Sequence, residues 1–233
     1  MYTVYTKMKK LLILLLILLP WLPVGLFLLY YKKSKFDNQL CKLLRFWFKV
    51  CWNVDFKHKI NPDYQYIIVC NHQSMLDVPL LLAAGARCKW MAKDELFDIP
   101  ILGNILERYG CIKVNLKSSR NKSAILEAAE YLKMGESLLV FPEGKRNNPN
   151  KSIPVDVFKS GAFCLSLSEK VIVLNVVISG TGDALPIGKL IPSDAEIKYT
   201  VCGELDPYHY SDYKKLKKDS RWEIIKNLNE LCR

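Results

Sequence analysis

A histidine and an aspartate stand five positions apart at the junction of two apolar segments. The stretch "YIIVCNHQSMLDVPLL", residues 66–81, places His72 and Asp77 there. An aspartate that accepts the Nδ1 proton of a histidine fixes the ring tautomer and makes Nε2 a better base. On one ideal helix this spacing would point the two side chains about 140° apart, so contact requires His72 in a loop and Asp77 at a helix start. The alternative is a loop histidine beside a capping aspartate, because Ser74 and Asp77 also resemble a capping box.

A charged loop follows a second apolar segment. In "LLVFPEGKRN", residues 138–147, the apolar run gives way to Glu143, Gly144, Lys145 and Arg146. Cations and a flexible glycine at the carboxyl end of a strand suit phosphate binding. The carboxylate in such a loop can orient the arginine or accept a substrate hydroxyl. The alternative is an ordinary charged turn.

Apolar periodicity predicts the elements that must position these residues. From about Tyr64 the chain alternates short strands with helices, and we expect Ser123 to cap one of the helices. The predicted strands are "QYIIVCN", "CKWMAK", "CIKVN", "SLLVF", "VIVLNVVIS" and an edge strand "AEIKYTVCGEL". The predicted helices are "DVPLLLAAGA", "KSAILEAAEYLKMG", "VFKSGAFCLSLS" and "RWEIIKNLNELC". This alternation indicates one α/β domain, in which loops at strand ends usually carry the chemistry.

Residues 11–31 contain no charged side chain. About 20 apolar residues suffice to span a bilayer, and no small-residue cleavage site is visible, so we predict an uncleaved membrane anchor. Pro20 and Pro23 should kink the segment, which leaves open a hairpin that re-enters one leaflet.

The segment that follows, residues 38–53, has the pattern of an amphipathic helix. Its apolar face is rich in aromatic residues, which suits a helix at the lipid interface. The alternative is a helix packed on the catalytic domain. The polar stripe consists of Asn38, Lys42, Arg45, Lys49 and Asn53.

The charge distribution distinguishes a membrane protein from a nucleic-acid binder. Of the net charge of +11, residues 1–60 contribute +9 and the remaining 173 residues only +2. Basic residues around an apolar segment indicate contact with anionic lipid rather than nucleic acid. The eight cysteines include no C-x-x-C pair, so we expect no metal site and no disulfide framework.

Three motifs occur together in a characteristic order: "NHQSMLD", "KDELFDIPILG" with "YGCIKVN", and "FPEGKRN". This set resembles the lysophospholipid acyltransferase family, most closely its 1-acylglycerol-3-phosphate O-acyltransferases. The resemblance covers about residues 66–190. It implies a glycerophosphate-acyltransferase-like domain, with a mixed β-sheet flanked by helices, at residues 61–233. An anchor and an interfacial helix would occupy residues 1–60.

The resemblance also implies roles for individual residues. His72 would be the general base that deprotonates the free hydroxyl of lysophosphatidate, and Asp77 would orient it. The acyl donor would be acyl-CoA or acyl carrier protein, with no metal and no cofactor. The residues expected to bind the acceptor are Asn71, Lys113, Asn115, Glu143, Gly144, Lys145 and Arg146, with Lys117 as a further candidate.

Three positions depart from the family pattern. Asn115 stands where the family usually has arginine, Lys145 where it has threonine, and Asn175 where it has proline. We hypothesise that Lys145 compensates for the cation missing at Asn115. The competing interpretation is a different acceptor, either another lysophospholipid or an amino-acid lipid. We expect Asn175 to alter a strand end rather than the chemistry.

Other classes of protein remain to be distinguished from an acyltransferase. One is a non-catalytic membrane scaffold with this fold. Another is a hydrolase, although neither Ser74 nor Ser160 lies in a G-x-S-x-G elbow. We expect His58 and His209 to be surface or structural residues. The composition hints at a bacterial inner membrane protein with its catalytic domain on the cytoplasmic side.

Overall fold

The computed structural model of the protein describes residues 33–100, 102–115, 121–147, 155–189 and 191–232. The predicted anchor at residues 11–31 lies outside these ranges. Within them, no helix is both long and apolar enough to cross a membrane.

In the described residues, six strands form one mixed sheet in the order β3-β2-β4-β1-β5-β6. Strands β1 to β5 run parallel, and β6 pairs antiparallel with β5 at the edge. The prediction of an α/β domain with a mixed sheet is therefore confirmed. The strands are β1 (Ile67–Cys70), β2 (Cys88–Lys93), β3 (Ile112–Val114), β4 (Ser137–Val140), β5 (Val173–Ser179) and β6 (Lys198–Leu205).

The described helices are α1 (Lys33–Trp52), α2 (Asp77–Ala83), α3 (Leu102–Tyr109), α4 (Lys122–Lys133), α5 (Gly161–Glu169), α6 (Thr181–Ala184) and α7 (Tyr213–Leu231). The predicted cap of α4 is wrong, since Ser123 lies inside the first turn and the helix begins after Asn121. Helix α7 begins earlier than its apolar pattern indicated, because the Asp212 side chain caps it by accepting the Lys214 N–H at 3.1 Å.

Helices cover both faces of the sheet. Side chains of α1 and α2 pack on one face, and those of α4, α5 and α7 pack on the other. Within β1, Ile68 and Cys70 face the first layer while Ile67 and Val69 face the second. A parallel strand covered on both sides is apolar throughout, which explains the unbroken apolar run before His72.

Helix α1 packs against the α/β domain. Trp47, Phe48 and Trp52 are buried in the same cluster as residues of α2. Arg45 belongs to this contact, because its Nε and Nη2 donate to the Ala83 carbonyl at 3.1 and 2.8 Å. The structure thus shows the helix packed on the domain, which was the alternative to a helix at the lipid interface. Arg45, predicted to lie on the polar stripe, contacts α2 instead. The boundary at residue 60 stays a prediction, although α1 shares its core with the domain.

The opposite side of α1 carries exposed apolar side chains. Leu43, Phe46 and Val50 are 43%, 63% and 52% exposed. Their spacing of three and four residues places them in one line along the helix. We call these three residues the apolar stripe, and exposed Lys42 and Lys49 lie beside it.

Asn175 lies in the middle of β5, not at a strand end as expected. It is fully buried beside an irregularity in the pairing of β5 with β6. Its Oδ1 accepts a hydrogen bond from Ser220 Oγ at 2.6 Å. The side chain therefore links the sheet to α7.

Candidate active site

Three neighbouring strands end at the same edge of the sheet. Strand β1 lies between β4 and β5, and all three run parallel. After their carboxyl ends come His72 and Glu143, each in a loop, and Thr181, which is the first residue of α6. The carboxyl edge of a parallel sheet is where open α/β folds bind their ligands.

His72 and Asp77 meet at this edge. His72 lies in the loop after β1, and Asp77 is the first residue of α2, as a direct contact requires. The His72 Nδ1 and Asp77 Oδ2 atoms are 2.6 Å apart. Asp77 is completely buried, whereas the His72 side chain is 20% exposed. The histidine is therefore the member of the pair that a substrate can reach.

The Asp77 carboxylate is surrounded by hydrogen-bond donors. Its Oδ2 accepts the backbone N–H groups of Gln73 and Ser74 at 2.7 and 2.9 Å. Its Oδ1 accepts the Thr181 hydroxyl at 2.6 Å. An oxygen that already accepts two N–H groups requires a donor from the histidine, so we assign the proton to Nδ1 and leave Nε2 as an acceptor. We call His72, Asp77 and Thr181 the dyad corner.

The capping box is observed only in part, because α2 begins after Leu76 and has no side-chain cap hydrogen bond. The Asp77 side chain binds the Ser74 N–H, and Ser74 Oγ accepts the Leu76 N–H at 3.3 Å. One carboxylate thus closes the loop and orients the imidazole. The two interpretations of the spacing do not exclude each other.

Thr181 is a site residue that was not predicted from the sequence. It lies 104 residues beyond Asp77 and is completely buried. Gly180 precedes it with φ +82°, and a Cβ there would come within 1.9 Å of the Glu196 carbonyl oxygen. The glycine therefore allows the chain to turn tightly after β5 and present the threonine. The available signal was the Gly180-Thr181 pair directly after a buried strand.

The backbone of His72 is held on both sides. Its N–H donates to Glu143 Oε1 at 2.9 Å, and its carbonyl accepts the Asn147 N–H at 2.7 Å. Its ring stacks on Phe141, with centroids 4.0 Å apart. The loop after β4 thereby fixes both the main chain and the ring plane of the histidine.

Glu143 is a buried carboxylate inside this loop. Its Oε2 accepts the Asp156 N–H at 2.8 Å and the Asn147 amide at 3.3 Å. Burial raises the pKa of Glu143, and the hydrogen bonds from Asp156, His72 and Asn147 oppose that rise. These contacts give Glu143 a positioning role, while its binding to a substrate stays a prediction.

Asn71 is engaged in a similar way. It is buried, its Nδ2 donates to the Ile178 carbonyl at 2.8 Å, and its Oδ1 accepts the Ile178 N–H at 2.9 Å. The amide extends the pairing between β1 and β5 by one step beside His72. Binding of the acyl acceptor by Asn71 stays a prediction.

Cations surround the loop after β4. Lys145 is exposed and forms an ion pair with Asp156 at 3.0 Å, and Arg146 is half-buried. Lys159 was not predicted as a site residue, although it lies in the predicted helix segment "VFKSGAFCLSLS". A Cβ on Gly144, which has φ +70°, would come within 2.5 Å of Lys159 Nζ. The glycine therefore leaves room for this ammonium against the loop.

Lys113 and Asn115 lie further away. Lys113 lies in β3 and Asn115 is the residue after it, and β2 separates β3 from β4. Two strand spacings put the end of β3 about 10 Å from the end of β4. Lys113 Nζ pairs with Glu107 at 2.9 Å and lies 4.6 Å from the centroid of the Phe97 ring. We call Lys113, Lys145, Arg146 and Lys159 the cationic rim; Lys117 lies outside the described residues.

The alternative nucleophiles are turned to other partners. Ser74 Oγ donates to the Leu185 carbonyl at 2.8 Å, and Ser160 Oγ accepts from Lys217 Nζ at 3.2 Å. The described part of the chain has no cluster of three or more histidine, cysteine, aspartate or glutamate residues that could hold a metal ion. The site is therefore best described as a histidine–aspartate base with cations along one side.

Comparison with known proteins identifies the family. The acyltransferase family model matches residues 51–179, more than half of the chain. The chain belongs to the acyltransferase family. In the crystal structure of the 1-acyl-sn-glycerophosphate (LPA) acyltransferase PlsC from Thermotoga maritima, the likeness extends over 99% of this chain and 98% of that one. The TM-score is 0.80 at 26% identity.

Curated relatives carry related names. The chloroplastic 1-acyl-sn-glycerol-3-phosphate acyltransferase LPAT1 of Arabidopsis thaliana is 34% identical over 127 residues, which is 54% of this chain and 35% of that protein. The 1-acyl-sn-glycerol-3-phosphate acyltransferase of Borreliella burgdorferi is 29% identical over 170 residues, or 71% of this chain and 66% of that one. The matched segment is thus only about a third of the plant protein.

Proposed function

We propose that this acyltransferase transfers a fatty acyl group to the free sn-2 hydroxyl of 1-acylglycerol-3-phosphate, giving phosphatidic acid. The observation that carries the proposal is the contact between His72 Nδ1 and Asp77 at 2.6 Å, which leaves Nε2 as the acceptor. The family match and the names of the relatives support the reaction class and the acceptor.

The chemistry follows from the dyad corner. Nε2 of His72 takes the proton of the acceptor hydroxyl as its oxygen attacks the carbonyl carbon of an acyl thioester. The C–O bond forms, the C–S bond breaks, and the departing thiolate takes the proton from His72. Asp77 stabilises the imidazolium that exists between the two proton transfers. The donor is acyl-CoA or acyl carrier protein, and in this scheme no metal or cofactor takes part.

The cationic rim is the proposed binding surface for the phosphate of the acceptor. Ammonium and guanidinium groups match the charge of a phosphate monoester. Glu143 and Asn71 support this surface by fixing the loop after β4 and the end of β1.

A second candidate is transfer to a different lysophospholipid. Lys145 is paired with Asp156, and Asn115 supplies no charge at the end of β3. Both features weaken the field that would hold a phosphate monoester. A lysophospholipid with another headgroup, or an amino-acid lipid, depends less on that field.

We further propose that the enzyme works at a membrane surface. The apolar stripe of α1 is exposed, and Lys42 and Lys49 beside it suit anionic headgroups. The predicted anchor at residues 11–31 would hold the chain there. A bacterial inner membrane, with the domain on its cytoplasmic side, is the proposed location.

The test is an assay of the full chain purified in detergent. Acyl-CoA or acyl carrier protein would be supplied with a panel of lysophospholipids, and thiol release would be followed beside product identification. We expect release that depends on lysophosphatidate and falls roughly 10²–10⁴-fold in His72→Ala. His209→Ala, which replaces an exposed histidine, is the control.

Three outcomes would contradict the proposal. Release that is equal in His72→Ala would remove the base from the mechanism. Free fatty acid in place of a new ester would indicate a hydrolase. No release with either donor would favour the scaffold.

A further inference from the structure

A cleft of about 600 Å³ lies between α1, residues 59–62 and the end of α2. Lys42, Arg45, Lys59 and Arg87 line it. Among the described residues that line this cleft there is no aspartate or glutamate. We call it the basic cleft. Four cations on the wall of one concave surface favour an anionic ligand.

The basic cleft is separate from the dyad corner. His72 precedes α2 and Gly85 follows it, and Gly85 is on the wall of the cleft. A helix of seven residues is about 10 Å long, so the two places lie at opposite ends of α2. The cleft therefore plays no direct part in the proposed proton transfer.

One of the cations is already held in place. Two of the five N–H groups of Arg45 bind the Ala83 carbonyl, and its guanidinium lies 5.3 Å from the centroid of the Phe56 ring. This contact covers the carbonyl end of α2, which would otherwise repel an anion. A fixed guanidinium loses less conformational entropy on binding than a free side chain.

Helix α1 connects the cleft to the apolar stripe. Lys42 lines the cleft and lies one turn before Phe46 on the same helix. A lipid whose acyl chains lie beside the apolar stripe would have its headgroup level with Lys42 and Arg45. A free phosphate ion would use only the cations, whereas a phospholipid would use both surfaces.

We propose that the basic cleft binds the phosphate headgroup of an anionic membrane phospholipid. The inference rests on the membrane association proposed above. Bound there, the lipid fixes how the protein sits on the bilayer and is not itself acylated. The chemistry required is a phosphate diester or monoester with attached acyl chains.

The experiment measures lipid binding to the full chain in neutral detergent. The ligand is dioctanoyl phosphatidylglycerol, and binding is followed by native mass spectrometry and by the shift of the melting temperature. Dioctanoyl phosphatidylcholine tests the need for negative charge, and inorganic phosphate tests a free anion as the source. We expect saturable binding of phosphatidylglycerol alone.

Two triple variants locate the site. The cleft variant carries Lys42→Gln, Lys59→Gln and Arg87→Gln and leaves Arg45 in place. Basic residues near lipid contribute about 1 kcal/mol each, so we expect the apparent Kd for phosphatidylglycerol to rise at least about tenfold. The matched control removes the same number of positive charges from exposed lysines of α4 and α7, on the other face of the sheet. We expect the apparent Kd to change less than about twofold in this control. Its substitutions are Lys122→Gln, Lys214→Gln and Lys218→Gln.

Folding and function are checked separately. A variant with Lys42→Arg, Lys59→Arg and Arg87→Lys keeps the charges and should bind as the wild type does. An equal loss in the control triple, equal binding of phosphatidylcholine, or equal binding of inorganic phosphate would overturn the inference. Lipid binding is measured without turnover. A loss of acyltransferase activity and a failure of the basic cleft to bind phosphatidylglycerol would therefore be detected independently.

Discussion

The dyad corner and the cationic rim lie at the same edge of the sheet but are built differently. In the dyad corner, Asp77 and Thr181 are completely buried, and both oxygens of Asp77 accept hydrogen bonds. In the rim, the Lys145 side chain is 65% exposed and Asp156, with which it forms an ion pair, is partly exposed. The side chains that take part in proton transfer are therefore held in one geometry, whereas the exposed side chain of Lys145 can change its conformation.

This difference predicts which kinetic constant each region controls. A group that acts only in the transition state changes kcat, and one that binds substrate and transition state equally changes KM. Substitutions in the dyad corner should act on kcat and those in the rim on KM. Asp77→Asn and Thr181→Val test the dyad corner, and Lys145→Thr tests the rim.

Asp77→Asn should have the largest effect. An amide at this position presents an NH₂ group to some of the donors that now surround the carboxylate, and it no longer secures the Nδ1 proton. We expect kcat to fall on the order of 10³-fold with little change in KM. The measurement is steady-state thiol release, with exposed Asp98→Asn as the control. A loss confined to KM would place Asp77 in substrate binding instead.

Thr181→Val should have a smaller but distinct effect. It removes the hydroxyl that binds Asp77 Oδ1 and leaves a buried oxygen without its donor, which costs about 1–3 kcal/mol of unfolding free energy. We expect kcat to fall about tenfold, since the carboxylate loses one of its four contacts. Thr181→Ser should restore most of the activity.

The matched control is Thr200→Val on the edge strand β6. The pH profile of kcat distinguishes a role in catalysis from a loss of stability. Its acidic limb should move in Thr181→Val, because Asp77 loses a hydrogen bond and its interaction with His72 changes. If Thr181→Ser is as impaired as Thr181→Val, the lost methyl packing rather than the hydroxyl explains the defect.

Glu143→Gln tests whether the negative charge of Glu143 is needed to position the loop after β4. The glutamine amide would meet one of the N–H donors of His72 or Asp156, so we expect about a fivefold loss of kcat, equivalent to about 1 kcal/mol. The raised pKa of Glu143 also makes a pH prediction. Protonation favours the folded state, so this contribution is present below the ordinary value of 4.5 and is lost as the pH rises through the folded pKa.

The wild type should therefore gain unfolding free energy relative to Glu143→Gln as the pH falls from 7 toward 4.5. Urea unfolding of both proteins at several pH values in this range measures the difference. A difference that moves the other way would mean that the hydrogen bonds to Glu143 outweigh its burial.

Local structure explains which parts of the site could be predicted from the sequence. His72 and Asp77 lie within one loop and one helix start, so the spacing showed what a contact would require, and the family resemblance predicted that the contact forms. Thr181 was not predictable because it reaches Asp77 only through the pairing of β1 with β5. Arg45 was predicted to lie on a polar stripe of the helix, because a helical pattern cannot show that its guanidinium donates to the Ala83 carbonyl.

The same limit applies to the departures from the family pattern. The sequence predicted one continuous strand through Asn175, but the expected effect at a strand end was wrong, because the irregularity beside Asn175 depends on the pairing with β6. Lys145 and Asp156 are eleven residues apart, so no local pattern predicts that they pair. Contacts made by tertiary structure decide these positions.

Lys145→Thr should have the smallest effect and tests the hypothesis of compensation for Asn115. The ion pair with Asp156 is largely exposed, and such pairs contribute at most about 1 kcal/mol. If Lys145 also attracts the acceptor phosphate, KM for lysophosphatidate should rise about two- to fivefold with kcat unchanged. The rise should shrink at high ionic strength, because exposed charges are screened there.

Adding Asn115→Arg to Lys145→Thr completes the comparison. Compensation predicts that the added arginine recovers the KM lost by Lys145→Thr, although the two strand ends lie about 10 Å apart. The exposed Lys133→Thr on α4 is a control for the loss of one charge. An unchanged KM in Lys145→Thr would refute compensation and leave Lys145 as the ion-pair partner of Asp156. The phosphate would then depend on Arg146 and Lys159, and a preference for a different headgroup would become the stronger explanation of Asn115.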